Sequence, residues 1–259
     1  MINELARYRY WAEIRTNLCF FIFTTVGQTY TDAKNALLAL KQPERAAAVA
    51  RFFKTGAGQY GEGDQFIGLS MPQLRTVVKQ FQPLPIDAAE KLVQDPYHEC
   101  RMAGLLIWVG QNQKTGLAQR TVIVERYLTN RQHINNWDLV DVTCPHILGN
   151  YVAQSDRSIL YDLAHEDNLW SQRIAIVSTL ALIRLGQFND TFSIAEILLP
   201  HKHDLIHKAI GWMLREVGKR NADALEEFLH DHVQKMPRTA LRYAIERFDL
   251  SRRRYYLDL

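Results

Sequence analysis

LWSQRIAIVSTLALIRLG, residues 169–186, places a basic residue, Arg173, just before a long apolar run that contains alanine. Three other segments share this arrangement: HECRMAGLLIWVG at 98–110, LIHKAIGWMLREVGK at 205–219 and TALRYAIERF at 239–248. Their basic residues are Arg101, Lys208 and Arg242. In chain order the four basic residues are 72, 35 and 34 positions apart, and Trp137 lies midway in the first interval. A period of about 35 residues is typical of stacked helical repeats.

Nearly every segment from Thr31 onward has apolar residues at helical spacing, and no run alternates with a period of two for long enough to predict a strand. The predicted helices are 32–53, 72–82, 86–95, 97–112, 116–129, 136–153, 156–165, 168–185, 190–199, 204–219, 222–234 and 239–249. With two helices per repeat and no tetratricopeptide signature, the sequence predicts an all-α, HEAT-like helical-repeat solenoid. One helix of each pair would line a concave face, and the recurring basic residues would form a positive stripe along it.

The composition is that of a globular protein without disulfides. The chain has 259 residues, a net charge of +3 and three widely separated cysteines, which suits a reduced cytoplasm and predicts no zinc ribbon. A charge of +3 is too small to predict a nucleic-acid partner. The apolar run 18–26 is too short to span a bilayer, and no signal-peptide cleavage site follows it. We expect residues 1–30 to be an extension outside the fold, residues 31–259 to form one domain, and no membrane association.

Two short motifs match known types of site but lack their context. GAGQYG at 56–61 fits the dinucleotide-binding fingerprint, yet a helical segment precedes it where a strand is needed. Further glycines and a proline follow it before the next helix, so we expect a loop. HKHDLIHK at 201–208 places His203 and His207 one helical turn apart, as in metal-binding helices, but no third ligand is identifiable. We expect neither a metal nor an organic cofactor.

One constellation of aromatic and charged residues indicates chemistry. On a helix, Trp137 and Asp141 share a face, whereas Asp138 turns away by about 100°. Arg173 and Trp212 fall at or near the equivalent positions of the next two repeats. Together such side chains suit a sugar-phosphate unit: the arginine binds phosphate, the tryptophans pack on deoxyribose, and the carboxylate faces the anomeric carbon. The alternative is structural, with the tryptophan in the core and the aspartate either capping a helix or paired with a neighbouring arginine.

Six segments, in order, resemble the DNA alkylation repair family, specifically the AlkD-type HEAT-like-repeat alkylpurine DNA glycosylases. They are RFFKTGAGQYGEGDQFIGLSMPQLR, HECRMAGLLI, NNWDLVD, LWSQRIAIVSTL, KAIGWMLREVGK and ALRYAIERF, which together run from about Thr31 to Phe248. The resemblance implies a concave face that binds duplex DNA. It also implies base excision repair, in which positively charged N3- and N7-alkylated purines are removed without flipping the base into a pocket.

The resemblance also implies roles for individual residues. Its catalytic site corresponds to Asp141, Trp137 and Trp212, and its DNA-binding residues correspond to Arg173, Arg215, Phe52 and Lys208. Phe52 lacks the hydroxyl of the tyrosine that some members carry there. The glycines of residues 56–69 are expected to make positive-φ turns beside the DNA-binding groove. We expect a cytoplasmic monomer. The alternative is a catalytically silent DNA-binding or scaffold protein on the same fold, although the retained Asp141 favours the enzyme.

Overall fold

The structure, a computed structural model, describes residues 28–259, and its regular secondary structure is helical. The helices are α1 (Tyr30–Leu38), α2 (Pro43–Phe52), α3 (Met71–Gln80), α4 (Ile86–Val93), α5 (His98–Lys114), α6 (Leu117–Thr129), α7 (Trp137–Thr143), α8 (Asn150–Val152), α9 (Ser158–His165), α10 (Leu169–Ser178), α11 (Leu180–Arg184), α12 (Asn189–Leu198), α13 (Asp204–Gly218), α14 (Ala222–His232), α15 (Arg238–Ala244) and α16 (Leu250–Asp258). Within this part of the chain no strand forms, which confirms the all-α prediction.

The helices stack as the repeats predict. Helices α5, α7, α10, α13 and α15 form one row, each packed against the next, and we call them the inner row. A second set covers this row from one side, because α4 packs on α5, α9 on α10, and α12 and α14 on α13. One hydrophobic core runs through the stack between the two sets. The four basic residues that define the repeat lie on members of the inner row, so the period of about 35 residues is the period of the stack.

Polar side chains fix where several helices begin. Thr29 caps α1 and forms a capping box with Asp32. The Asn168 side chain accepts hydrogen bonds from the backbone N–H groups of Trp170 and Ser171, both at 3.0 Å, at the start of α10. Asn221 accepts from Ala224 N–H at 3.0 Å at the start of α14. Each cap satisfies donors that an isolated helix end leaves unpaired.

The predicted positive stripe is wrong for two of its four members. Arg101 and Arg173 are buried in the structure. Each forms an ion pair with a carboxylate, Arg101 with Asp64 and Arg173 with Asp141. A buried charge requires such a partner, because the interior solvates ions poorly. Lys208 is half-exposed and Arg242 is exposed, so the repeat marks packing positions rather than a uniform surface charge.

Three predicted boundaries also change. Residues 32–53 form two helices, because Pro43 begins α2 after a break at residues 39–42. Helix α16 follows the last predicted helix, 239–249, and was not predicted. The fold begins before Thr31: Tyr30 starts α1, and its hydroxyl donates to the Asp95 carboxylate at 2.6 Å.

The apolar run 18–26 and most of the expected extension lie outside the described residues. From residue 28 onward, no helix combines the length and the hydropathy that crossing a membrane requires.

Candidate active site

The centre of the site is an ion pair between two neighbouring inner-row helices. Arg173, on α10, donates from Nε to Asp141 Oδ1 and from Nη2 to Asp141 Oδ2, both at 2.8 Å. Its Nη1 also donates to the carbonyl oxygen of Leu205 at the start of α13. Only 6% of the Arg173 side chain and 15% of the Asp141 side chain are exposed. The pair therefore joins three successive repeats at one point.

The structure shows Arg173 in a contact other than the predicted one, and its binding to DNA stays a prediction. The sequence predicted a bidentate contact from Arg173 to a DNA phosphate. In the structure the paired N–H groups that such a contact would use are directed to Asp141, and a third donor is held by a backbone carbonyl. The edge of the guanidinium that carries Nε and Nη2 forms its paired contact with Asp141. Arg173 therefore orients Asp141 in this structure.

Burial gives Asp141 unusual acid–base properties. Removal from water raises the pKa of the Asp141 carboxyl, the charge and hydrogen bonds of Arg173 lower it, and the nearby Asp138 raises it again, with a net increase. Asp141 therefore binds a proton at a higher pH than an ordinary aspartate. A carboxylate that is charged, poorly solvated and fixed by an arginine is suited to stabilising a cation or accepting a proton from water.

Aromatic side chains lie beside this carboxylate. Trp137, the first residue of α7, stacks on Phe53 with a centroid distance of 5.4 Å and meets the edge of Phe52 at 6.1 Å. The Asn136 side chain accepts from the Trp137 backbone N–H at 2.9 Å and so holds the start of the helix. Phe52 is 66% exposed, so its ring is accessible from solvent. The structure thus brings Phe52 to Trp137, one helical turn from Asp141.

Three further predicted site residues lie on α13. Trp212 is half-buried, and its indole N–H donates to Glu216 at 3.3 Å. Arg215 pairs with Glu246, and Lys208 pairs with Asp204 at 2.7 Å. Ion pairs this close to solvent contribute at most about 1 kcal/mol each, so a phosphate group can replace the carboxylate at little cost.

A buried charge cluster at the other side of α7 was not predicted. His98, at the start of α5, contacts Asp138 through Nε2 at 2.8 Å and Asp64 through Nδ1 at 3.3 Å. Arg101 donates to the same Asp64 at 2.6 Å. We call these four residues the His98 cluster. It joins the glycine-rich loop, α5 and α7, so it fixes the helix that carries Trp137 and Asp141.

The carboxylates keep His98 protonated. Burial alone lowers the pKa of His98, but the negative charge and hydrogen bond of Asp138 and the hydrogen bond of Asp64 raise it to about 9. The ring also stacks on Phe66 at 4.8 Å and packs on Phe53 at 5.1 Å. The sequence gives only part of the signal for this cluster. Asp138, next to Trp137, is a charged residue that needs a cationic partner when it is shielded from water, but the sequence does not show that this partner is His98.

The glycine-rich loop has the positive-φ turns that were expected, at Gly58, Gly63 and Gly68. Glu99 fixes the end of this loop, because its buried carboxylate accepts backbone N–H groups from Ile67, Gly68 and Leu69 at 2.8, 2.7 and 3.2 Å. The loop carries Asp64 into the His98 cluster and supports Phe53 under Trp137. It serves the site as a scaffold.

The helix after Asp141 contains a π-helical turn, Pro145–Gly149. Pro145 has no N–H to donate to the carbonyl of Asp141, four residues earlier, and its ring crowds that carbonyl. The backbone instead forms a wider turn, in which Gly149 N–H donates to Cys144 O at 2.9 Å. Gly149 also lets α8 approach the next repeat, since a Cβ there would lie 2.5 Å from the carbonyl oxygen of Ser178. Such turns commonly occur near functional sites.

The three histidines of residues 201–207 have structural contacts. His203 Nδ1 accepts from the backbone N–H of Leu205 at 3.1 Å, which caps α13, and His207 contacts the carbonyl oxygen of His201. Burial lowers the pKa of His203, so the ring stays neutral at physiological pH and accepts this bond.

Comparison with known proteins places this arrangement in a family. The structure is similar to a solved structure described as a predicted DNA alkylation repair enzyme from Enterococcus faecalis, with a TM-score of 0.63 and 20% sequence identity over 81% of this chain and 97% of that chain. At this identity the likeness shows a shared fold. No curated protein matches the sequence. The family model described as DNA alkylation repair enzyme matches residues 33–248, which include the stacked repeats and every residue of the Asp141 site, and the chain therefore belongs to the DNA alkylation repair enzyme family.

Proposed function

We propose that this protein is a DNA glycosylase that hydrolyses the N-glycosidic bond of positively charged alkylated purines in duplex DNA. The family membership supports a role in DNA repair. The observation that carries the finer proposal is the pair of Asp141 and Arg173, a buried carboxylate held at both oxygens beside partly exposed aromatic side chains. A carboxylate in a surface that binds a polyanion weakens that binding, so its presence there favours a catalytic role over a purely DNA-binding one.

The reaction requires stabilisation of a sugar cation. As the bond from C1′ to the purine nitrogen breaks, positive charge develops on the deoxyribose, as in glycoside hydrolysis. The bonding electrons stay with the purine, which was cationic and leaves as a neutral base. It therefore needs no general acid. Water forms the new bond to C1′, and its proton passes to Asp141 or to solvent.

Asp141 supplies the negative charge that stabilises the developing sugar cation. Because it is largely shielded from water, its attraction for that cation is screened little, and Arg173 holds it in place before the reaction. Trp137 and Phe52 offer ring surface to the sugar, and a cation over the face of such a ring gains about 0.5–2 kcal/mol. The base can stay stacked in this scheme, which avoids an unstacking cost of a few kcal/mol.

Binding relies on phosphate contacts near the same surface. Lys208 and Arg215 are held by carboxylates that are about half exposed, Asp204 and Glu246. A phosphate that displaces these carboxylates gains a full charge contact, and the released counterions favour the complex. Such contacts position DNA without reading its sequence. The protein would therefore bind duplex DNA with little sequence preference and act wherever a cationic purine occurs.

The test is release of free base from duplex DNA that contains N7-methylguanine, with the products identified as the methylated base and an abasic strand. We expect both products in equal amounts. A protein that binds this DNA but releases no base would be the silent DNA-binding alternative.

A further inference from the structure

A second basic site lies next to the Asp141 helix. A cleft of about 390 Å³ opens between α3, α5 and the π-helical turn after α7. It has an apolar floor and a polar rim, and none of its lining residues is acidic. The polar lining residues are Arg75, Lys79, Gln82, Gln113 and His146. We call this the Arg75 cleft. No residue of the Asp141 site and none of the predicted DNA-binding residues lines it.

The positive charge of this cleft is not balanced. Arg75 and Lys79 are exposed, and within residues 28–259 neither forms an ion pair. The same holds for Arg184, whose charge also acts on His146. By contrast, the predicted DNA-binding cations Arg173, Lys208 and Arg215 all have carboxylate partners. Unpaired cations around an apolar floor produce a local positive potential, and the floor reduces the screening of that potential by water.

The pKa of His146 responds to this positive potential. Burial lowers the pKa of His146, and the charges of Arg184 and Arg75 lower it further. The groups that face the ring from neighbouring helices are thus cationic, so the neutral ring is favoured. An anion in the cleft would reverse this effect. The pKa of His146 should rise when the cleft is filled.

The cleft is also shaped for a ligand with several oxygen atoms. Gly110, inside α5, lets the Gln82 amide lie against the helix: a Cβ there would be 2.2 Å from Gln82 Oε1 and 2.8 Å from Gln82 Nε2. Amide N–H groups and guanidinium N–H groups together can surround one tetrahedral oxyanion. A larger residue at position 110 would displace the amide.

The cleft lies beside the helix that carries Asp141. Val142, which lines the cleft, directly follows Asp141, and His146 lies five residues beyond Asp141 in the same helical segment. The cleft and the Asp141 site thus share one helical segment, so one bound duplex can contact both.

We propose that the Arg75 cleft is a phosphate-binding site that holds the DNA backbone next to the Asp141 site. The proposal rests on the proposed function for the identity of the polymer. Its chemistry, a phosphate oxyanion bound by Arg75, Lys79 and the amide of Gln82, belongs to the cleft itself. Free inorganic phosphate presents similar oxygen atoms, and the experiment separates the two sources.

The experiment compares two double variants of the full chain that each remove two positive charges. Arg75→Gln with Lys79→Gln changes the cleft. Lys91→Gln with Lys235→Gln is the control, since both lysines are exposed and lie outside the cleft. Duplex affinity is measured at several salt concentrations. Loss of one phosphate contact should weaken binding about tenfold and reduce the slope of log affinity against log salt by about 0.9. The control variant should retain the wild-type slope.

Equal affinity and slope in the two variants would overturn the proposal. In parallel, the His146 ring is followed by NMR as inorganic phosphate or duplex DNA is added, and DNA should raise the pKa of His146 in the wild type. A response to inorganic phosphate alone, with equal DNA binding by both variants, would assign the cleft to free phosphate and contradict the backbone assignment. Failure of the proposed function has a different signature: the wild type would bind DNA through the cleft yet release no base.

Discussion

His98→Gln removes the cation that links Asp138 on α7 to Asp64 in the glycine-rich loop. His98 is protonated in the fold because these carboxylates raise its pKa to about 9, compared with 6.5 for an unperturbed histidine. A folded-state pKa above the unfolded-state value favours the folded protein at low pH. The stabilisation is complete below about pH 6.5, falls as the pH rises, and is lost above about pH 9.

The magnitude follows from this difference. Each unit corresponds to about 1.4 kcal/mol, so protonation of His98 contributes on the order of 3 kcal/mol to the free energy of unfolding at pH 6. Removing one member of a buried ion pair costs about 3–5 kcal/mol, which is a similar amount. Arg101 still compensates Asp64 in the variant, so the lower end of that range applies.

Urea unfolding of the wild type and of His98→Gln at several pH values between 6 and 9.5 measures the effect. The free-energy difference between the two proteins should be on the order of 3 kcal/mol at pH 6 and should shrink as the pH approaches 9. His230→Gln is the matched control, because His230 is 87% exposed and contacts only a surface aspartate. A difference that stays constant across this pH range would refute the protonated state of His98.

Three other predictions concern the site and its packing. Arg173→Lys keeps the charge but loses the paired contact with Asp141, so base release at saturating DNA should fall by roughly 10- to 100-fold; a loss of DNA affinity alone would instead restore the phosphate-binding role. In a pH–rate profile, base release should be lost as the pH falls through the raised pKa of Asp141, at a pH above the ordinary aspartate pKa of about 4. Loss of activity only at or below about pH 4 would contradict the conclusion that burial raises the pKa of Asp141. Gly149→Ala places a Cβ 2.5 Å from a backbone carbonyl and should lower the free energy of urea unfolding by about 1–3 kcal/mol, and an unchanged value would contradict the close approach of the two repeats.

The repeat architecture could be predicted because each inner-row helix carries its own apolar pattern, with a basic or aromatic residue at a recurring position. The exposure of the basic residues could not be predicted. The sequence around a basic residue at a helix start is the same whether its side chain faces solvent or a buried carboxylate. Arg173 and Asp141 are 32 residues apart, and only the stacking of α7 on α10 reveals that they pair. The structural alternative for this aspartate, a neighbouring arginine as partner, thus describes its contacts, while its catalytic role stays a prediction.

The His98 cluster was missed for the same reason. Its members come from the glycine-rich loop, α5 and α7, and their mutual charge compensation is a property of the packed fold. The π-helical turn had a visible cause in Pro145, but a proline within a helical pattern predicts a break or kink without specifying its form.

Single-turnover release of N7-methylguanine by Asp141→Asn tests the central claim most directly. The substitution keeps the shape of the side chain, removes the negative charge, and frees part of the Arg173 guanidinium. Affinity for duplex DNA should therefore be unchanged or higher, while base release falls about 10²-fold, as expected for the loss of about 3 kcal/mol of electrostatic stabilisation. Release of N7-methylguanine by Asp141→Asn at the wild-type rate would contradict the assignment of Asp141 as the catalytic carboxylate.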